Sequence, residues 1–446
     1  GSAPTSPFHQ VWRELGVVPA LKMHAYRELV ALDGAGGHEA FVWPADLDEL
    51  AEALKRRFPK DAGAAARLVS AARAFRRFDI LALPLMAPFE RAAAIASVLP
   101  LLAHGASTLE DHAKGFKTSF LQRMFPSLIY DWPQQSMLMA LHFMARLHEG
   151  DLGWPVGGSA ALAHAIEQRF IGLGGEIRYQ ARAASILVDQ DRAVGVRLED
   201  GSIEHADIVV SNAYGPTTIF DMLGGAYVSR AIERRYAAPE DRIEMGVHVS
   251  LGVARDLAHE PHAIVLELEK PAEIDGTFRK RLYVQTFGFD STLAPRGKSV
   301  VKVLLATSWK RWEAFAATPD VYRALRDRIA ERVIGLLGNR FPGIEGQIEA
   351  ADVATPITTK RFTGNGTGFK VTTTDLIRGL ITGVRLSRTL PRLSNFYMVG
   401  QWAGLPGVPM VAAMGREVVQ LICRRDGRAF VANEGTGEPP RATVAA

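Results

Sequence analysis

The stretch NFYMVGQWAGLPGVPMVAAMGREVVQLI, residues 395–422, constrains the fold of this chain more than any other. FYMVGQW has the form of a buried parallel strand, an apolar run that closes on a glycine. GVPMVAAMGREVVQLI then opens a helix, with Pro409 in the first turn, where a missing N–H costs no hydrogen bond. A helix start presents free N–H groups and the positive end of its dipole to whatever lies ahead. Strand, glycine turn and helix can therefore serve an anion or an electron-rich ring. On spacing alone an ordinary βα connection is the plainer reading.

A second block of the same texture runs over residues 153–213. Gly157 and Gly158 open a helix over 160–170, and LGG closes it, as glycine does at a helix C-terminus. EIRYQ, SILVDQ and AVGVRLED read as strands, DQDR and EDGS as the turns between them, and ADIVVSN as a last buried strand. This order suits an α/β nucleotide-binding domain with an inserted hairpin.

The rest of the chain differs. Residues 7–150 read mainly as helices, with HEAFVW as one strand of a hairpin. DLDELAEALKRRF has helical spacing, with acidic residues first and basic residues last, as the helix dipole prefers. The Met-rich SMLMALHFMARLH reads as a helix, with its methionines filling a core; the alternative is a pliable wall for a long apolar ligand. From 245 to 307 strands dominate (MGVHVSLGV, AIVLELE, RLYVQTFGF, SVVKVLLAT). A long amphipathic helix follows over 320–341. Residues 426–446 read as a disordered tail.

At 446 residues the chain needs more than one domain. Hydrophobic residues make up 48% and charged residues 22%, which are globular values. With 52 basic and 48 acidic residues the net charge is +4, too even for a nucleic-acid binder. One cysteine, Cys423, leaves no internal disulfide and fits a reducing compartment, the cytoplasm. No run has the length of a membrane-spanning helix. The apolar stretch 80–105, broken by prolines, reads as buried helices; the sharper reading is a surface that dips into a membrane. No H-E-x-x-H, C-x-x-C, G-x-S-x-G or Walker A loop occurs, so metal, serine-hydrolase and P-loop chemistry have no support. Asp131, His142 and His148 read as surface or satisfied core residues rather than catalytic groups.

The 395–422 stretch resembles the C-terminal flavin motif of the phytoene-desaturase, carotenoid-isomerase and retinol-saturase family of FAD proteins. There a strand ends in VG, and a Gly- and Pro-containing turn carries GVP beneath the flavin ring. The 153–213 block resembles that family's central block, TPITTKRFTGNGTG a segment ahead of the final motif, and TLEDHAKGFKTSFLQRMF its helical region. The matches run from about residue 7 to residue 430 and are specific to the superfamily, not to a substrate. One departure stands out. The family opens with a G-x-G-x-x-G turn that holds the FAD pyrophosphate. DGAGGHE has Glu39, and GNGTGF has Phe369, where the last glycine belongs. SPFHQVWRELG aligns with what normally comes after that unit.

The resemblance implies an α/β chain, α+β overall, in a glutathione-reductase-like FAD arrangement missing its first βαβ unit. The divisions expected are a substrate or lid region (1–150), one part of the FAD domain (151–235), a mixed-sheet substrate domain (236–387) and the C-terminal FAD strand and helix (388–425). It implies an FAD-dependent desaturase, saturase or isomerase acting on a long apolar isoprenoid or polyene, with peripheral membrane contact. By motif position, Ala183 and Ala184 meet the adenine. Asn212 and Ala213 end the strand that passes the cofactor. Gly400 and Gln401 lie near the ribitol and pyrophosphate, and Gly407, Val408, Pro409 and Met410 lie under the flavin pyrimidine. Trp402 faces the substrate or packs in the domain interface, and Met137, Leu141 and Met144 wall an apolar cavity. No catalytic acid or base is assigned. Without the pyrophosphate loop the chain is expected to be poor in cofactor. Two other readings stay open: a non-catalytic binder of an apolar ligand, or part of an enzyme completed by another polypeptide, and an amine-oxidase-like flavoenzyme.

Overall fold

The computed structural model describes residues 1–37, 39–77, 79, 89–90, 92–93, 96, 107–236, 244–365, 388–403 and 407–432. The apolar stretch 80–105 therefore lies almost wholly outside the described residues, as do GTGF of the GNGTGF turn, GLP of the final motif and the end of the tail.

A short antiparallel pair, β1 (Met23–Ala25) with β4 (Gly153–Pro155), joins the start of the chain to the central block. The main sheet has seven strands. It gathers the hairpin β2 (Glu28–Asp33) and β3 (Ala40–Pro44) with β9 (Glu244–Val253), β10 (Ala263–Glu273), β11 (Phe278–Thr286), β12 (Ser299–Ser308) and β13 (Ile348–Ala354). The order is β13-β9-β12-β11-β10-β2-β3. Neighbours are antiparallel except β10 and β2, which run parallel. That parallel pair places the early hairpin in the same sheet as the later strands.

Alternation along β9 sends Val247, Val249, Leu251 and Val253 to one face. A helix over Pro319–Leu337 lays Leu325, Ile329, Val333 and Leu337 on that face at four-residue spacing. Each such side chain contributes roughly 1.5–3 kcal/mol on burial. The opposite face is covered at β2, β10 and β11 by a helical layer. That layer comprises α2 (Leu47–Arg57), α3 (Ala62–Ala74), α4 (Leu109–Ala113), α5 (Ser119–Met124) and α6 (Met137–His148), which share a core with Leu32, Val265 and Tyr283 of the sheet, whereas α1 (Pro7–Glu14) packs on the C-terminal helix. The α6 methionines Met137 and Met144 are buried in this core, as core filling requires.

The second unit begins with α7 (Gly158–Gly172), which ends at Gly174 with φ 87°. It continues in an antiparallel three-stranded sheet, β5 (Ala183–Asp189), β6 (Arg192–Leu198) and β7 (Ile203–His205). A short strand β8 (Val209–Ser211) pairs in parallel with β14 (Phe396–Met398). Strand β7 was not foreseen; its residues are all exposed, so no apolar alternation marks it.

One expectation fails. EIRYQ, residues 176–180, belongs to no strand. Ile177 is 39% and Tyr179 66% exposed, and no described strand lies alongside to complete a ladder. A strand without a partner leaves its N–H and C=O groups to water and has no cooperative support. The helix before it is equally bare. Phe170, Ile171 and Leu173 are exposed, and Gly158 is its one buried residue.

Candidate functional site

Two strands deliver the site. Across β8 and β14, Met398 stands opposite Ser211, and the Val399 N–H continues the ladder by donating to the Ser211 carbonyl at 2.9 Å. The chain then turns at Gly400 with φ 90°. An added β-carbon there would lie 2.4 Å from Asn212 Oδ1, which the Asn212 side chain could relieve by turning away, so it is the positive φ that favours glycine. The Ser211 hydroxyl bonds Thr218 Oγ1 at 2.8 Å and takes the Ala213 N–H at 3.3 Å, which fixes the turn after β8. Asn212, Ala213, Gly400 and Gln401 are thus brought together.

The helix α8 over Val408–Arg425 starts at Gly407, whose φ of 117° and ψ of 137° suit glycine, and Pro409 falls in its first turn. Among the described residues no side chain caps it. Pro409 has no N–H, so the Val408 and Met410 N–H groups are the ones presented forward. Val408 is 58% exposed and Met410 is buried. The helix is pinned from behind. Arg388, 8% exposed, donates to Glu417 at 2.8 and 3.2 Å, and Arg416 donates to Glu14 of α1 at 2.8 Å.

The remaining expected residues separate into other neighbourhoods. Ala183 and Ala184 open β5, in the small sheet whose β6 lies beside β8. Trp402 packs edge-on to Tyr214 at 4.6 Å and against Gly215, at the margin of the second unit's core. Met137 and Leu141 border a recess of about 360 Å³ between α3, α4 and α6, together with Leu68 and Phe116; Met144 does not reach it. His148 accepts the Leu47 N–H at 3.2 Å and lies 3.2 Å from Asp46, so it serves the start of α2. His142 is fully buried; burial, with Arg146 beside it, pushes its imidazole down to about 3.

Sequence reasoning missed a polar row on the main sheet. Lys302 of β12 stands opposite Ser250 of β9 on one side and Gln285 of β11 on the other. Directly opposed residues share a face. His248 lies two residues along β9 on that same face, opposite Leu304. Burial lowers the Lys302 amine. Burial, with the Lys302 charge second, pushes His248 down to about 4. The signal was available: in MGVHVSLGV and SVVKVLLAT the His and Lys sit in phase with each other and out of phase with the buried valines.

Two helix starts test whether a flavin fits. The glycine approach at 400 and the uncapped start of α8 suit the edge of a flat, electron-rich ring. The start of α7 is already closed. Asp290 accepts the Gly157 N–H and the Trp154 indole N–H, both at 2.8 Å. Burial works against the Asp290 charge, and bonds from Thr292, Trp154 and Gly157 outweigh it and hold the carboxyl below its usual range. Of the two helix starts, that of α8 has backbone N–H groups free for such a ring edge and that of α7 does not.

The chain belongs to the family described as flavin containing amine oxidoreductase, whose profile matches residues 9–417. It is 30% identical over 244 residues to the chloroplastic prolycopene isomerase of Arabidopsis thaliana, covering 53% of this chain and 40% of that protein. It is 28% identical over 276 residues to the neurosporene-forming phytoene desaturase of Cereibacter sphaeroides, covering 57% of this chain and 51% of that one. The match thus spans about half or less of the length of these relatives. A redesigned putrescine oxidase has the same fold, with a TM-score of 0.55, 11% identity, and coverage of 94% of this chain and 85% of that one. Among the described residues no helix is long and apolar enough to cross a membrane.

Proposed function

We propose that this chain forms the ring-binding and substrate-bearing part of an FAD-dependent desaturase, saturase or isomerase acting on a long apolar isoprenoid or polyene. The observation that carries the reading is the junction from β14 to α8, where a glycine of positive φ at 400 leads to a helix start whose N-cap, Gly407, has no side chain to cap it. Bound there, a flavin supplies reversible hydride or electron transfer. The chain's residues bind and orient. The Val408 and Met410 N–H groups, with Gly407 and Pro409, would hold the pyrimidine edge. Gly400 and Gln401 would hold the ribitol side, Asn212 and Ala213 would flank the cofactor, and Ala183 and Ala184 would meet the adenine. The apolar sheet face and the α6 core exclude water.

The phosphate end is the finer part of the proposal. A strand, glycine turn and helix outside this sequence, on the same or another polypeptide, would hold the diphosphate and cover Phe170, Ile171, Leu173, Ile177 and Tyr179. The bare apolar side of α7 and the unpaired 176–180 segment support this. Charge-assisted hydrogen bonds contribute roughly 1.5–3 kcal/mol each. Two missing bonds weaken binding by about two to four orders of magnitude.

Ultraviolet–visible spectra of two purified proteins test the reading. The chain as given is expected to carry little or no FAD and to show no turnover. A version with a G-x-G-x-x-G unit placed ahead of SPFHQVW is expected to be yellow. Stoichiometric FAD on the chain alone would show that its own residues hold the phosphates. A yellow extended protein that binds polyenes but never turns them over would favour a carrier.

A further inference from the structure

Three tyrosines from distant parts of the chain meet on the sheet face that carries Lys302 and His248. Tyr283 is central in β11, opposite Leu304 and Val265. Tyr130 lies against it, with ring centroids 5.3 Å apart. Tyr26 follows β1, and its ring stacks on His262 at 3.8 Å and 18°. His262 is itself held by Glu28, through its ring Nδ1 at 3.0 Å and its backbone N–H at 3.2 Å. Tyr130 weighs on the ionisation of both Tyr26 and Tyr283, which places the three phenols in one neighbourhood.

Among the described residues their hydroxyls have no partner. No hydrogen bond is made by Tyr26, Tyr130 or Tyr283 through its side-chain oxygen. Tyr283 is 5% exposed, yet its hydroxyl is not among the sealed polar atoms that lack a partner. Tyr130 is 40% exposed although burial raises its phenol. A buried hydroxyl normally finds a partner. The buried Tyr283 has none among the described residues, and the more open Tyr130, 5.3 Å away ring to ring, leaves that neighbourhood accessible to a partner from outside.

The backbone holds Tyr130 in place at a cost. Tyr130 and Asp131 are consecutive non-glycine residues in the left-handed region, with φ 55° and 51°. Asp131 is anchored by Ser127 and by Arg281 at 3.4 Å. The indole N–H of Trp132, whose ring is 5.8 Å from that of Tyr130, also lacks an acceptor. Donors thus outnumber acceptors here. Glu28 and Asp290 both act on Tyr26, which disfavours an anion. A neutral oxygen fits.

We infer that Tyr26, Tyr130 and Tyr283 form a polar subsite that binds the carbonyl or hydroxyl oxygen at one end of an otherwise apolar substrate. This rests on the apolar-substrate reading above and narrows it to oxygenated isoprenoids.

Tryptophan fluorescence titrations with farnesylacetone, farnesol, farnesene and farnesylamine test it. The ketone and the alcohol are expected to bind about tenfold more tightly than the hydrocarbon. Tyr130→Phe and Tyr283→Phe keep the rings and should each cut that preference by roughly three- to tenfold, leaving farnesene unchanged. Tyr130 is partly exposed, so its variant remains informative if Tyr283→Phe does not fold. Equal binding of farnesene and farnesylacetone, or a preference that survives both variants, overturns the subsite and leaves the apolar reading standing. Tightest binding of farnesylamine overturns it in favour of an amine site. No binding of any chain overturns both.

Discussion

Gly400 lies so close to Asn212 that a β-carbon on it would come within 2.4 Å of the Asn212 amide oxygen. The ends of β8 and β14 are held together here by the Val399 N–H, which donates to the Ser211 carbonyl at 2.9 Å where the chain leaves for α8. Gly400→Ala adds this clash to a left-handed backbone. It is expected to cost about 1–3 kcal/mol, measured as a lower urea midpoint. Asn212→Ala in the same chain should restore part of the loss. If the single variant is as stable as the parent, neither the positive φ nor the Asn212 side chain constrains position 400.

Val408→Asp should separate helix stability from flavin affinity. An acidic residue at a helix start is worth about 0.3–1 kcal/mol, and the first turn of α8 has none. The cofactor-free protein should therefore melt no lower than the parent. In a flavin-loaded version the same carboxylate should weaken FAD binding and lower the flavin reduction potential. Unchanged affinity and potential would make the turn a plain connection.

The Arg388–Glu417 pair holds α8 from behind, and Arg388 is 8% exposed with its Nη1 already lacking a partner. Removing Glu417 leaves a buried guanidinium uncompensated. Glu417→Gln should cost about 3 kcal/mol, and Arg388→Met with Glu417→Leu distinctly less. Chemical denaturation of the three proteins decides, and a double variant worse than the single one would contradict the account.

His248 should make the fold acid-sensitive. Burial first, and the Lys302 charge second, push it from 6.5 to about 4. Between those values the unfolded chain binds more protons than the folded one. The stability that neutral His248 permits is thus present above pH 6.5 and lost as pH falls toward 4. In His248→Gln the drop in urea midpoint from pH 7 to pH 5 should shrink. An identical drop in both proteins would remove His248 from the acid limb.

Local chemistry by itself set several elements of this protein. Pro409 and Gly407 mark the start of α8, and Gly174 the end of α7. Valines at every second position mark β9 and β12. These signals act within a few residues, through backbone sterics and side-chain periodicity. What lay beyond that range only the tertiary structure decided. The parallel seam of β2 with β10 joins segments far apart in the chain, and nothing within either segment names the other. EIRYQ has the composition of a strand but is none, because a strand forms only where a neighbour completes its ladder. Lys302 and His248 each stand out of phase with the buried valines of their own strands, which the sequence shows, but only cross-strand register places the two together on one face. Tyr26, Tyr130 and Tyr283 carry no motif at all; their meeting depends on a turn, a strained loop and a strand brought together by folding.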